Sequence, residues 1–190
     1  MTARRAFIDK SYVARTKHYL MAAVILDVAD IEDTRALIRS VRRHRRAAFH
    51  WYDERPETRH QMLALVAASS PLQLVVVTKP VAERRQERAR ATCTGSLLAQ
   101  LQAFDPPVDD VVFESRTATL DQRDPQRIEG LRVQGRADPE LRYSFDTKAQ
   151  PLLWLADAVA GAATSDLTTG TQYLDRLKGR LYRVEIPGAV

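Results

Sequence analysis

Cysteine is nearly absent from this chain. Cys93 is the single one in 190 residues, so no internal disulfide can form and cysteine-rich zinc sites are excluded. It has no His or Asp partner nearby in sequence and is expected simply to be packed, and a reducing cytoplasm is the expected location. Long apolar runs are missing as well. The longest, Tyr19 to Leu26, is far too short to span a bilayer and reads as a buried strand. No apolar segment with a cleavage site follows Met-Thr-Ala-Arg-Arg, so export is not expected. The sequence also lacks a glycine-rich phosphate loop, a G-x-S-x-G elbow and a paired-His zinc motif. P-loop nucleotide hydrolysis and serine hydrolysis are therefore poorly supported. No repeat, low-complexity tract or linker interrupts the chain, and residues 1–190 are expected to form one domain.

What is present is a sizeable core and an excess of positive charge. Apolar residues make up 45% of the chain, which argues against wholesale disorder. The net charge is +5 with a pI near 9.6, and most of the cations are arginine. Arginine binds phosphate oxygens in forked pairs, so a phosphate-bearing partner such as nucleic acid is one expectation. Genome composition is the other source of arginine. Arg42, Arg43, Arg45 and Arg46 close a helical segment and would track a nucleic-acid backbone. The alternative is a solvated helix end, where cations suit the C-terminal dipole. The same choice applies to the Arg84–Arg90 stretch, with the solvated reading ahead.

The pattern along the chain predicts a mixed sheet. A short strand, Ala6 to Asp9, precedes a polar stretch from Lys10 to Lys17 and a second strand from His18 to Leu26. That second run is continuously apolar, as in a strand covered on both faces. A helical insertion follows, with one helix through Ala36, Leu37, Ile38 and Val41 and another from Pro56 through Val66. Leu72–Val77 is the third strand, and a long helix spans about Val81 to Ala103. Val108–Phe113 makes a fourth strand ending at Glu114, and Leu141–Phe145 a fifth. Residues 121–133 read either as a helix or as an irregular polar insertion. Pro151 opens a helix to about Ala163. A last helix is expected over Thr171–Lys178, with some strand character at Leu181–Ile186. Antiparallel strands first and alternating helices and strands afterwards imply an α/β fold, a mixed five-stranded sheet with helices on its faces.

Three acids fall at matched points in this scheme. Asp9 ends strand one, and Glu114 ends strand four. If those strands are parallel neighbours, their carboxyl ends lie about 5 Å apart, at the edge where open α/β sheets place ligands. Asp157 borders the apolar stripe of Leu152, Leu155, Ala156, Val159 and Ala163. A half-buried carboxylate needs a cationic partner, since its burial is otherwise expensive. Converging carboxylates are relieved by Mg²⁺ or Mn²⁺, and two such ions about 4 Å apart activate water on a phosphodiester. The alternatives are a turn role for Asp9, a solvent-facing Glu114, and an Arg or Lys partner for Asp157.

Several of these segments resemble a known family. Phe7-Ile8-Asp9-Lys10-Ser11 followed by Tyr19 to Leu26 is similar to the FIDESG opening and second strand of domain of unknown function 3800. Phe145-Asp146-Thr147-Lys148 and Leu152 to Gly161 resemble its F-x-D-S-K…LQLADLIAG close. Phe49-His50 and Phe113-Glu114-Ser115-Arg116 are similar to two shorter elements. The resemblance implies a ribonuclease H-like fold in a bacterial or phage-associated family. It matches Asp9, Glu114 and Asp157 to metal-binding acids, with Asp146 as a fourth. Lys10 stands where the family has Glu, Tyr12 where it has Gly, and Glu114 where Asp is commoner. Lys10 is thus a candidate to neutralise the acids in place of a metal.

Two functions are expected in competition. One is a Mg²⁺- or Mn²⁺-dependent nuclease, or another phosphodiester-cleaving hydrolase, acting on RNA or DNA. The other is a catalytically degenerate domain that binds nucleic acid or a protein partner, a second copy of the chain included. Lys148 is a candidate contact for the scissile phosphate, with a surface role as the alternative. His50 either supports the site and moves a proton or packs beside Trp51, and packing is the leading reading.

Overall fold

In the computed structural model, residues 3–42 and 48–188 are described. Strand β1 (Arg4–Val13) forms an antiparallel hairpin with β2 (His18–Asp27). The central strand β2 is buried along almost its whole length, as its unbroken apolar run requires. Strand β3 (Leu72–Lys79) pairs antiparallel with β2. On the other side of the hairpin, β4 (Asp110–Glu114) joins β1 in parallel and β5 (Arg142–Asp146) joins β4 in parallel. Strand β6 (Leu181–Pro187) runs parallel to β3, so the sheet has six strands in the order β5-β4-β1-β2-β3-β6.

Helices cover both faces: α1 (Ile31–Val41), α2 (Pro56–Ser69), α3 (Gln86–Ala103), the single turn α4 (Ala118–Asp121), α5 (Arg123–Val133) and α6 (Leu152–Thr169). Strand alternation divides the core in two. Phe7, Ala22, Val24 and Val75 face α1, α2 and α6, where they meet Ile38, Met62, Leu155 and Val159. Ile8, Met21, Ala23 and Leu74 face α3 and α5, meeting Leu97, Leu98 and Ile128. Helix α6 lies across β1 and β2 and is itself covered by α2. It is therefore buried on nearly every side, which explains its run of alanines.

Four details differ from the sequence expectation. The sheet has a sixth strand, because β6 is an edge strand with alternately exposed residues and little apolar signal. Strand β1 continues through the polar residues to Val13, which pairs with His18 at the hairpin tip. Residues 123–133 are helical, and their apolar period is weak because Asp124 is buried in an ion pair with Arg90. The expected last helix is a five-residue 3₁₀ turn, Tyr173–Leu177. Gly170, at φ 71°, stops α6, and the Asp166 carboxylate then accepts the Tyr173 and Leu174 N–H groups. Among the described residues, no helix is long and apolar enough to cross a membrane.

Candidate active site

The parallel pairing of β1 with β4 sets Ile8 beside Phe113, and the next residues on each strand are Asp9 and Glu114. Both side chains point to the α6 face. Asp9 follows Phe7 by two residues and Glu114 follows Val112 by two, and Phe7 and Val112 belong to the core on that face. Asp157 projects from α6 toward the same point. The three acids line one cleft of about 260 Å³ together with His50, Tyr52 and Lys148.

The Asp9 and Glu114 carboxyls share a hydrogen bond. Burial pushes the Asp9 carboxyl well above the ordinary carboxylate range. The hydrogen bond with Glu114 and the negative charges of Glu114 and Asp157 raise it further, against the pull of Lys148. Burial also works upward on Glu114, but the hydrogen bond from Asp9 and the charges of Lys148, Lys10 and His50 outweigh it, leaving Glu114 lowered. The two carboxyls are thus pushed in opposite directions, Asp9 up and Glu114 down. The backbone N–H of Lys10 donates to Asp9 Oδ1 at 2.7 Å.

A cation already sits among these acids, and it is Lys148. Its Nζ lies 3.4 Å from Asp157 Oδ1 and 3.7 Å from Glu114 Oε1, with only 22% of the side chain exposed. Burial opposes its charge, but Asp157, Asp9 and Glu114 more than compensate, so its pKa is raised. Trp154 Nε1 donates to the Lys148 carbonyl at 2.8 Å, fixing the backbone from which the side chain reaches inward. This corrects two expectations. Lys148 faces the acids rather than bulk solvent, and Lys10 is not the cation in their midst. One residue beyond Asp9, Lys10 is exposed at the mouth of the same cleft, from where its charge still reaches Glu114.

Asp157 does a second job. Its Oδ2 accepts the backbone N–H of Trp51 at 2.9 Å, both groups being buried. One helical turn later comes Gly161, where an added Cβ would lie 2.1 Å from Trp51 Cγ. The indole, fully buried, occupies that space and donates to Ser165 Oγ at 3.0 Å. The Asp and Gly of the L-A-D-x-x-A-G stretch therefore clamp one tryptophan at i and i+4. With Trp51 inward, His50 and Tyr52 turn outward. The side chain of His50 is 47% exposed on the cleft rim, with Nδ1 3.8 Å from Asp53 Oδ2. That is the site-supporting position rather than the packed one, and the i, i+2 spacing of His50 and Tyr52 around a buried Trp51 was the signal for it.

The remaining candidates fall elsewhere. Asp146 is register partner to Glu114, one strand further out, and its carboxylate accepts from Thr147 N at 2.8 Å and Gln150 Nε2 at 3.5 Å. It organises the turn into α6 and does not line the cleft. Arg42, expected on a nucleic-acid surface, is 5% exposed; its guanidinium holds Glu54 Oε1 at 2.7 Å and lies 5.4 Å from the rings of both Phe49 and Trp154. It is a core cation. Arg43, Arg45 and Arg46 lie outside the described residues. Arg90 is buried too, forked onto Asp124. Cys93 is buried, as expected.

Strand order, crossing helix and acid-bearing strand ends together decide the architecture. The fold is ribonuclease H-like. Among solved structures, ribonuclease H2 from Pyrococcus horikoshii OT3 is similar at a TM-score of 0.51 and 13% identity, over 88% of this chain and 77% of that one. A mutant of Bst-RNase HIII is similar at a TM-score of 0.55 and 14% identity, over 89% of this chain. The present chain spans only 56% of that protein. No protein-family model matches, and no curated protein matches in sequence.

The donor set suits a hard divalent cation, since all three acids offer oxygen. The position between Glu114 and Asp157 already attracts an ammonium group. Among the described residues, no group of three or more His, Cys, Asp or Glu side chains is arranged as a ready metal cage, and Lys148 stands between Glu114 and Asp157.

Proposed function

We propose that this protein is a divalent-metal-dependent nuclease, a hydrolase cleaving phosphodiester bonds of RNA or DNA, related to domain of unknown function 3800 and working in a bacterial cytoplasm as one domain over residues 1–190. A single observation carries the reading. Asp9, Glu114 and Asp157 gather around one cation position at the carboxyl ends of parallel strands in a ribonuclease H-like fold.

Asp9, Glu114 and Asp157 would hold Mg²⁺ or Mn²⁺, which when bound activates water and stabilises the leaving oxygen of a phosphodiester. The protein's own groups have separable tasks. Because burial and neighbouring charge favour its protonated form, Asp9 would have to ionise for both it and Glu114 to serve as ligands. Asp157 keeps Trp51 and the His50 turn in register with the acids through its bond to Trp51 N. Lys148, once displaced from the carboxylates, is within reach of a phosphate seated in the cleft and supplies a positive charge to it. His50, exposed on the rim, is placed to pass a proton to a departing oxygen.

Lys148 also favours a second reading, a degenerate domain that binds nucleic acid or a protein partner without cleaving, with an internal ammonium permanently replacing the metal. Mn²⁺-dependent cleavage of an RNA and DNA panel separates the two, run beside Asp9→Asn and Asp157→Asn. The nuclease reading expects cleavage by the parent chain and its loss in both variants. Cleavage that survives both substitutions refutes the acid assignment, and binding without cleavage at any metal concentration supports the second reading.

A further inference from the structure

The rim of the cleft carries an aromatic pair, His50 and Tyr52, and the acid chemistry gives Tyr52 no task. Tyr52 is 54% exposed, and its ring lies 6.1 Å from the His50 ring at a tilt of 45°. Both line the cleft that holds Asp9, Glu114 and Asp157. A single exposed tyrosine needs no explanation. This one stands on a rigid base. Trp51 between the two rings is held by Asp157 at its N–H, by Arg59 Nε at its carbonyl (2.8 Å) and by Ser165 at its indole N–H. It also meets Tyr173 edge-on at 5.0 Å. Trp51 N is 2.9 Å from an Asp157 oxygen, so the two residues bearing the outward rings are the chain neighbours of a residue bonded to one of the acids.

Electrostatics alone would not hold a nucleic acid here. The cleft sets three acids against Lys148 and Lys10, so it carries no excess of positive charge to draw a phosphate. Among the described residues, four arginines are engaged internally: Arg42 with Glu54, Arg90 with Asp124, and Arg116 and Arg127 with Glu87 and Asp124. Close to the acids an uncharged contact therefore has most to add, and a preorganised aromatic face offers stacking of about 1–3 kcal/mol per base. Stacking needs an open base face, which a nucleotide within a duplex does not present.

We infer that Tyr52 and His50 form a base-stacking subsite beside the acids, selecting an unpaired nucleotide and hence single-stranded nucleic acid over duplex. The inference rests on the nuclease reading and narrows its substrate. A nucleotide whose phosphate enters the cleft lays its base on Tyr52, while Trp51 keeps the platform from yielding.

The test is fluorescence anisotropy on the full chain with a labelled single-stranded oligonucleotide, as DNA and as RNA, and the matching duplexes. Tyr52→Ala should weaken single-strand binding about ten-fold or more, leave the weaker duplex binding unchanged and leave the melting temperature in place. Tyr52→Phe should restore binding, which a role confined to the hydroxyl or to folding would not. Unchanged single-strand affinity in Tyr52→Ala, equal losses for duplex and single strand, or tighter binding of duplex by the parent chain each overturn the subsite. If Asp157→Asn abolishes cleavage while Tyr52→Ala behaves as the parent, the subsite fails and the nuclease reading stands. If the parent chain binds no oligonucleotide, both fail.

Discussion

Replacing Asp9 by Asn should make the metal-free protein more stable at neutral pH. Asp9 is 4% exposed, and burial, the hydrogen bond with Glu114 and the charges of Glu114 and Asp157 all raise its proton affinity above that of the unfolded chain. The sign follows from linkage. A carboxyl with a raised folded pKa contributes its full stability below the unfolded value, about 4, and that contribution is lost as pH rises through the folded value. Each pH unit between the two costs about 1.4 kcal/mol. The introduced amide would keep the geometry of the protonated acid, with an oxygen to accept the Lys10 N–H and an NH₂ group to donate to Glu114, and would have no proton to lose. At pH 8 the variant should gain on the order of 1–3 kcal/mol, the usual cost of a poorly compensated buried polar group. For a chain of this size that is a rise in Tm of several degrees, at about 2–4 °C per kcal/mol. At pH 4 the difference should vanish. The assay is thermal or urea unfolding in EDTA across pH 4–8. A gap independent of pH would refute the argument, as would an Asp9→Asn variant less stable than the parent at every pH.

Lys148→Met should lower the metal-free stability, because Glu114 and Asp157 lose their counter-charge, and should tighten Mn²⁺ binding in calorimetry; equal or weaker affinity would mean that Lys148 does not compete for the cation position. Gly161→Ala should cost about 1–3 kcal/mol through overpacking, because its Cβ would meet Trp51 at 2.1–2.5 Å; the tryptophan emission should shift as the indole is displaced, and an unchanged spectrum and Tm would count against the clamp. Asp124→Asn should destabilise by about 3 kcal/mol, since it leaves the buried Arg90 charge uncompensated. In the parent, burial works upward on Asp124, but Arg90 and then Arg116 and Arg127 hold its carboxyl below the usual range. The stability it contributes is therefore present above about pH 4 and falls away as pH drops through the lower folded value; urea unfolding between pH 2 and 7 should show that acid limb shrinking in the variant.

The parts of the fold that were legible are those where one physical cause acts alone. Strand β2 reads as central because only two covered faces tolerate an unbroken run from Tyr19 to Leu26. For α6 the stripe of Leu152, Leu155, Ala156, Val159 and Ala163 gives one core-facing side, and the fold buries the other sides as well. Where two causes compete, the pattern fades. Strand β6 is an edge, so half of its residues answer to solvent. Helix α5 buries an aspartate because Arg90 reaches it from α3, and no local period reveals a partner 34 residues away. Arg42 shows the same blindness: a cation after a helix looks solvated until Glu54, Phe49 and Trp154 close around it.

The candidate site divides along the same line. That Asp9 and Glu114 sit side by side where the parallel pairing of β1 with β4 gives out is a statement about topology, and strand order carries it from sequence to space. Alternation turns Lys10 away from the α6 face that Asp9 occupies, so it acts on Glu114 from the cleft mouth rather than from among the acids. What no period could supply is the reach of a side chain from a turn. Lys148 lies between β5 and α6, with its carbonyl tied to Trp154, and its direction is set by the acids it finds there. That direction has a consequence for chemistry. A carboxylate cluster that holds its own ammonium, and in which burial and neighbouring charge favour the protonated form of Asp9, resists a divalent ion on both counts. Metal affinity should then rise with pH through the loss of the Asp9 proton, and it should rise further in Lys148→Met. A pH-independent Mn²⁺ affinity, shared by parent and variant, would mean that the ion binds outside these acids.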